Sequence, residues 1–524
     1  MGDREESAAP VNLVTRRLTR RAVLRLGAIV AALPLAAACG GQPSAPAPAP
    51  KTEAKPTEAA KPAAPAAATA APKTEAKPGE AAKPATQAAG VPKAKIDGKL
   101  SVIIDADFYP EHNAFIERKV KEFAEQQGYP LDFSTVASFV GAANISQKLS
   151  AAVQAGDPPD VITHTEKASA LKFLEVIEDV DSLQKEIIGQ YGKVLPAFEQ
   201  TSLLDGKFWA VNHFSRAGGY WVREEPLKAA GIDFRKDLED WDKVREAVLK
   251  ASQPEKELWG WGLTVNRSGD GDSIVREQVF SRGGQLTDET GQVVVLNKDP
   301  YREYTIAALD QLKEIYTDPK WARMIPPGVN SWTDPSNNEA YLAGRLVYTS
   351  NAGTMFAKAV VDKNPVAEDT YLVPKPKGLG PSGRSLQGAD GMNFFIMKGA
   401  KNREASEQMI QFLMTPDVYR EMFRISIGYV YPAHQWGWDE KILVEDKYAQ
   451  HVTDAWKKVA FDPSGYTAGE WPGPPSAHVA SLESSNFWTD MMGEIINGAP
   501  VETALKNGHD KAVRVFKEFG AKGA

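Results

Sequence analysis

Cys39 is the only thiol in the 524-residue chain, and it directly follows an apolar run, Leu26 to Ala38, that is preceded by Arg16, Arg17, Arg20, Arg21 and Arg25. Basic residues, an apolar stretch too short to span a bilayer and small residues before a cysteine predict an export signal over 1–38 that ends at a lipidation site. A packed core cysteine would need a folded domain around it. Cys39 leads instead into Gly40-Gly41-Gln42 and a long run of Ala, Pro, Lys, Glu and Thr. Other reactive side chains show no catalytic spacing. His112, His164, His213, His434, His451, His478 and His509 form no HExxH or similar pairing, and no GxSxG, Walker A or GxGxxG sequence occurs. Asn266-x-Ser268-x-Asp270-Gly271-Asp272 with Glu277 has calcium-loop spacing, but position one is asparagine and Ser273 fills the usual hydrophobic place. An ordinary turn before a helix is the preferred reading there. No metal and no cofactor are expected.

Leu35-Ala36-Ala37-Ala38-Cys39 resembles the bacterial lipobox, with Ala36 where leucine is usual, and Thr19-Arg20-Arg21-Ala22-Val23-Leu24-Arg25 resembles the twin-arginine export motif. From Gln42 to about Lys95 there is no aromatic and almost no large aliphatic residue, and Lys51-Thr52-Glu53-Ala54-Lys55-Pro56 nearly repeats as Lys73-Thr74-Glu75-Ala76-Lys77-Pro78. Such a segment cannot bury enough apolar surface to offset its chain entropy, so 39–95 is expected to be a lipidated cysteine followed by a disordered tether. Its reach is roughly 40 Å as a coil and about 170 Å fully extended. The first 95 positions hold 14 of the 61 basic and 7 of the 68 acidic residues, which leaves the rest at about −14. An acidic domain is a poor partner for nucleic acid.

About 430 residues remain, more than one core usually serves, so two lobes are expected. Leu100 to Ile104 reads as a buried strand. Pro110 to Gln127 reads as a helix with proline at its first position, Phe115, Ile116, Val120 and Phe123 on one face, and Gly128 at its end. Leu131 to Val136 is a second strand, Asn144 to Ala155 a helix closed by Gly156, and a third strand begins at Pro159-Asp160-Val161-Ile162. This βαβαβ start predicts a parallel sheet with right-handed crossovers.

The run Gln147 to Val161, ending Gly156-Asp157-Pro158-Pro159-Asp160-Val161, resembles the first landmark of the extracellular solute-binding proteins of family 1, the maltose-binding-protein-like receptors of ABC importers. Phe208-Trp209-Ala210-Val211 and Gly219 to Ile232 match the family's crossover strand and the unit opening its second lobe. Asn338 to Leu346 resembles its F-x-x-G-x-x-A element, and Lys398 to Ala405 with Ile410-Gln411-Phe412-Leu413 its return to the first lobe. Together they run in the family's order over about 100–520.

The resemblance implies an α/β fold of two Rossmann-like lobes joined by a multi-strand hinge, with a ligand between them at the C-terminal strand ends. Crossovers are placed near Val211 to Ser215, Leu386 to Ala389 and Gly428 to His434, giving lobe one as 97–211 and 389–430 and lobe two as 215–387 and 432–524. By position in the family, Asp105, Asp107 and Phe108 follow the first strand, His164 and Glu166 the third, and His213 and Arg216 lie at the first crossover. Asn351 and Met355 lie at the turn where sugar-binding relatives carry tryptophan. All twelve tryptophans lie from Trp209 onward, and Trp332, Trp436 and Trp471 occupy Gly- and Pro-rich stretches. They are candidate stacking platforms for a pyranose face. Trp241, Trp456 and Trp488 read as structural.

Two function classes fit these residues. The favoured one is a non-enzymatic monomeric receptor, anchored to the outer face of the cytoplasmic membrane through Cys39, that delivers a solute, a carbohydrate before a peptide, polyol or polyamine, to an ABC importer permease. The other is a secreted carbohydrate-active enzyme using paired carboxylates among Asp105, Asp107 and Glu166.

Overall fold

A computed structural model describes residues 93–137, 145–381, 390–445, 448–462 and 471–523, all within one compact unit, 83–524. The export signal, Cys39, most of the tether and the crossover expected at Leu386 to Ala389 lie outside the described residues. Ala94 is already buried, with its carbonyl accepting a hydrogen bond from the Tyr129 hydroxyl at 3.0 Å, so packing begins before the expected tether end at 95.

The βαβαβ opening is present. Strand β1 is Leu100–Asp105, β2 is Leu131–Val136 and β3 is Val161–His164, and β1 pairs in parallel with both neighbours. The helix Pro110–Gln127 starts on its proline, turns His112, Phe115, Ile116, Val120, Phe123 and Ala124 inward, and stops at Gly128, whose φ of 63° suits a residue without a side chain. After a short hairpin, β4 Leu203–Leu204 and β5 Lys207–Phe208, the chain enters β6 Val211–Arg216. Strands β7 Gly218–Arg223, β8 Trp259–Trp261, β9 Leu346–Ala352 and β10 Thr370–Val373 form a second sheet in the order β10-β7-β9-β8. β11 Asp390–Ile396 and β12 Val430–Pro432 return to the first, which has the order β12-β6-β11-β3-β1-β2.

β11 runs antiparallel to both β3 and β6, so β6 runs parallel to β1, and the C-terminal ends of β1, β2, β3 and β6 share one rim. The passage between sheets is shorter than expected. Val211 to Ser215 lies wholly within β6, and only Ala217 separates β6 from β7. Ala217 donates to the Tyr429 carbonyl at 2.8 Å and accepts from the Gly353 amide at 2.7 Å, tying three chain segments at one point. A Cβ on Gly353 would sit 2.5 Å from the Gly428 carbonyl oxygen, so the join tolerates no side chain there. At the last crossing Gly428 and Tyr429 stand at the join, whereas Val430–Pro432 is still a strand of the first sheet.

Aromatic packing fills the second lobe. Trp241 and Trp261 stack with centroids 5.8 Å apart and planes 3° from parallel, and Tyr220 lies 5.3 Å from Tyr348. The helix Ala449–Ala460 touches both sheets. Its Trp456 indole donates to Ser215 Oγ of β6 at 3.2 Å, and its His451 lies 4.8 Å from Tyr371 of β10. The segment with calcium-loop spacing is a helix start. Ser268 caps the helix Gly269–Ser281 by accepting from the Gly271 amide at 3.0 Å, and Asp272 accepts from both the amide and the hydroxyl of Thr489 at 2.7 Å.

Buried ionisable groups respond to acid in opposite directions at particular sites, although burial lowers His478 and His509 of the second lobe just as it lowers the histidines of the first. Burial lowers His112 and His434, both in the first lobe, from 6.5 to about 4, and lowers His213 as well. The His112 and His434 rings stay neutral in the fold while the unfolded chain takes up protons below pH 6.5, so the stability they hold above that value is lost as pH falls toward 4, on the order of 3 kcal/mol each. Asp272 in the second lobe is raised by burial from 3.8 to about 7, so the stability it costs above pH 7 is regained as pH falls through that interval. Hydrogen exchange near pH 7 and about pH 4.5, scaled for intrinsic rates, is expected to show protection falling in β1, β3 and β11 and holding or rising in the helices Gly269–Ser281 and Phe487–Ile496. Equal loss in both groups would contradict this assignment.

Candidate functional site

The rim built by β1, β3 and β6 gathers polar side chains because strand ends release the chain into loops there. Asn113 fixes the loop after β1, accepting from the Asp107 amide at 2.8 Å and donating to its carbonyl at 2.7 Å. The Asp107 carboxylate receives Arg216 Nη1 from the end of β6 at 3.1 Å and the hydroxyl of Tyr429 from the last crossing. Phe108 is half-buried beside it. His164 Nδ1 accepts from the Glu166 amide at 2.8 Å, which puts the proton of the neutral ring on Nε2, 3.7 Å from Asp105 Oδ2. Glu166 accepts from Ser146 Oγ at 3.4 Å. Asp105, Asp107, Phe108, His164, Glu166 and Arg216 thus all sit at or just beyond the strand ends of this rim.

The second lobe presents a matching set from β9 and two helix starts. Asn351 donates to Asn337 Oδ1 at 3.0 Å, and Asn337 donates to Asp270 Oδ2 at 2.8 Å. The Asp334 carboxylate accepts the amides of Gly269 and Asp270 at 3.1 and 3.0 Å, closing the N-terminus of the helix Gly269–Ser281. Burial and the neighbouring Asp334 push Asp270 well above the usual carboxylate range, while Asn337 and the Arg216 guanidinium of the first lobe pull the other way. Burial also raises Asp334, against its amide hydrogen bonds. Farther along the helix, Glu277 accepts from the Tyr220 hydroxyl at 2.5 Å and pairs with Lys375, whose ammonium burial holds below its ordinary range. Trp332, two residues before Asp334, is half-buried and packs against apolar side chains of both main cores.

Four other candidates go elsewhere. His213 is fully buried, its ring 4.4 Å from Phe394, and neither ring nitrogen has a hydrogen-bond partner among the described residues, so it packs as an aromatic core residue. Met355 has no exposed surface and fills the core, because the turn after β9 becomes the helix Thr354–Val361 and points it inward. Trp471 is 6% exposed and packs 5.8 Å from Phe280. Trp436 lies on Tyr191 and Tyr419, at 5.4 and 5.9 Å. It follows β12, which runs antiparallel to β6, so it lies toward the sheet edge opposite the rim.

Asp334, Asn337, Lys375 and Tyr429 were not among the sequence candidates, and Asp270 and Glu277 entered only through the calcium-loop spacing. The signals for two of them were helix starts, Ser268-Gly269-Asp270 and Thr333-Asp334-Pro335, the second carrying a capping box between Thr333 and Ser336. No group of three or more His, Cys, Asp or Glu among the described residues could hold a metal ion, and no described helix is long and apolar enough to cross a membrane.

The family model described as bacterial extracellular solute-binding protein matches residues 109–420. Among solved structures, maltose-bound MalE3 of T. maritima superposes with a TM-score of 0.65 at 19% identity, covering 80% of this chain and 98% of that one. A solute-binding protein of an ABC transporter from Agrobacterium radiobacter K84, in complex with ribitol, gives 0.64 at 14% identity with coverage of 80% and 98%. The maltotriose-binding protein of Thermus thermophilus, bound to maltotriose, gives 0.60 at 13% identity with coverage of 80% and 99%. No curated protein matches the sequence. The superpositions show the two-lobed solute-binding fold, and with a family model spanning more than half its length the chain belongs to the bacterial extracellular solute-binding proteins.

Proposed function

We propose that this protein is a non-enzymatic receptor that closes on a carbohydrate between its lobes and hands it to an ABC importer permease, working as a monomer held at the outer face of the membrane by lipid on Cys39. In this reading lobe one is about 94–216 and 390–435, lobe two about 218–381 and 471–523, and Ala217 is the first hinge point. The observation that carries it is the pairing of two polar rims, Asp105, Asp107, Glu166 and Arg216 on one side and Asp270, Asn337 and Asn351 on the other, with the half-buried Trp332 indole beside them. Carboxylates and amides match sugar hydroxyls, and a flat ring matches the CH-rich face of a pyranose. The relatives whose solved complexes hold maltose, maltotriose and ribitol point to the same solute class. An enzymatic role for the carboxylates has less support, since Asp107 is taken up by Arg216 and Tyr429.

Melting curves with maltose, maltotriose and ribitol test the reading, because a ligand at a hundredfold excess over Kd stabilises the fold by about 2.7 kcal/mol. At least one sugar is expected to raise the melting temperature and to be recovered intact. A sugar returned cleaved would favour the enzyme, and no shift with any hydroxylated solute would remove the carbohydrate assignment.

With the sugar that stabilises most, Trp332→Ala is expected to weaken binding about tenfold, or about 1.4 kcal/mol, with little change in melting temperature. Trp436→Ala and Trp471→Ala should leave the affinity near that of the parent protein. Calorimetric titration of the three variants checks this, and unaltered affinity in Trp332→Ala would leave the ligand to the polar groups alone.

Cys39→Ser is expected to release the protein from membrane pellets into the soluble fraction without altering sugar affinity, as measured by fractionation and titration of the same preparation. Continued pelleting would rule out the lipid anchor.

A further inference from the structure

The lobes also meet where the loop after β3 faces the helix Ala477–Glu483. Lys167 Nζ of the first lobe lies 2.7 Å from Glu483 Oε2 of the second, and the other oxygen of Glu483 receives Arg276 Nη1 at 2.6 Å. These three side chains are only 13 to 19% exposed. Beside them the ring of Phe173, on the helix Ala168–Phe173 that begins after Lys167, lies 4.4 Å from the ring of Phe519 in the second lobe.

Both charges of the interlobe pair stand at the wrong end of their own helices. Lys167 occupies the N-cap of Ala168–Phe173, where the amides present partial positive charge. Glu483 is the last residue of Ala477–Glu483, where the carbonyls present partial negative charge. Each is disfavoured locally by the helix end beside it. Neither placement is favoured by the helix that carries it, and the Lys167–Glu483 pair forms across the lobes. Opening leaves Glu483 with Arg276 alone, whereas reversing the charge of Lys167 would set two carboxylates against each other across the lobes.

We propose that Lys167, Glu483 and Arg276 form a latch that favours the closed arrangement of the lobes before any solute is present. Arg276 orients Glu483 from within the second lobe, so that opening breaks the Lys167–Glu483 pair and the Phe173–Phe519 contact while the Arg276 pair persists. The apolar part is small, with Phe173 still 39% exposed, so the latch is reversible. Its strength sets the closed fraction of the free receptor, and any change in that fraction is passed on to solute affinity without a contact to the solute. The latch depends on the two-lobed fold and not on which solute binds, so its test is run without ligand and is independent of the sugar experiments.

The test uses the full chain carrying Cys39→Ser, with spin labels on Thr135→Cys in β2 and Asn266→Cys after β8, both exposed or near the surface and on or beside the outermost strands of their sheets. Pulsed electron resonance gives the distance distribution between lobes. Lys167→Glu, which faces one carboxylate with another, is expected to shift the ratio of short to long distances about fivefold toward long, while Lys167→Arg keeps the parent distribution. Lys148→Glu, exposed on the first lobe, controls for net charge and should change nothing. If Lys167→Glu does not fold, Glu483→Gln, which keeps the side-chain shape and removes the charge, is read in the same way. A parent-like distribution in the folded charge-reversal or charge-removal variant, or an equal shift in Lys148→Glu, overturns the latch.

Discussion

Everything on the two rims is placed by the pair of backbone hydrogen bonds at Ala217. One residue links the last position of the first sheet to the first of the second, and its amide and carbonyl are both committed, to Tyr429 and to Gly353. The bonds fix three segments at a single height, so Arg216 on one side and the ends of β7 and β9 on the other face each other across a short gap. Backbone groups at such a join are shielded from water and must be paired, which is why the geometry can persist while the lobes move about it. Gly353 and Gly428 approach closely enough that a Cβ on the first would collide with the second.

The rims differ in how their charge is held. In the first lobe the carboxylate of Asp107 is balanced by a guanidinium. In the second, Asp270 and Asp334 lean on amides, on Asn337 and on the N-terminal end of a helix. The helix end that could have offered amides to an anionic group is occupied by Asp334. What is left to a ligand is a set of hydrogen-bond acceptors and amides beside an indole, suited to a neutral solute rich in hydroxyls.

Elements were legible in the sequence where a local rule decided them. Pro110, Gly128 and the spacing of Phe115, Ile116, Val120 and Phe123 were enough to bound a helix, and the β1 to β3 order followed from the alternation of strands and helices. Asp105, Asp107, His164, Glu166 and Arg216 were singled out by position in the family, and the structure sets them at or just beyond strand ends on one side of the first sheet. Position alone misled where burial depends on a distant segment. Trp471 and Met355 sit in turn-like sequence, yet one meets Phe280 and the other the core beneath the first helix turn after β9. Trp436 also lies in loop-like sequence, and the reversed direction of β12 carries it to the end of the sheet opposite the rim. The turn before a helix preferred at Asp270 is what the structure has, whereas its partner Asp334, 64 positions away, lay beyond any local rule.

The place of β11 in the first sheet bears on how the protein is made. This strand lies between β6 and β3, both of which precede it in the chain by well over a hundred residues. Until Asp390–Ile396 is available, the sheet exists as two pieces, β3-β1-β2 and β6 alone, each with an unpaired edge on a strand that is largely buried in the finished fold. A growing or exported chain therefore cannot complete its N-terminal lobe from N-terminal sequence, and unpaired strand edges of this kind invite association with other chains. Truncation anywhere before Asp390 would leave the same open edges permanently. The second lobe, which must largely be spelled out before β11 appears, thus stands in the order of synthesis between the two halves of the first.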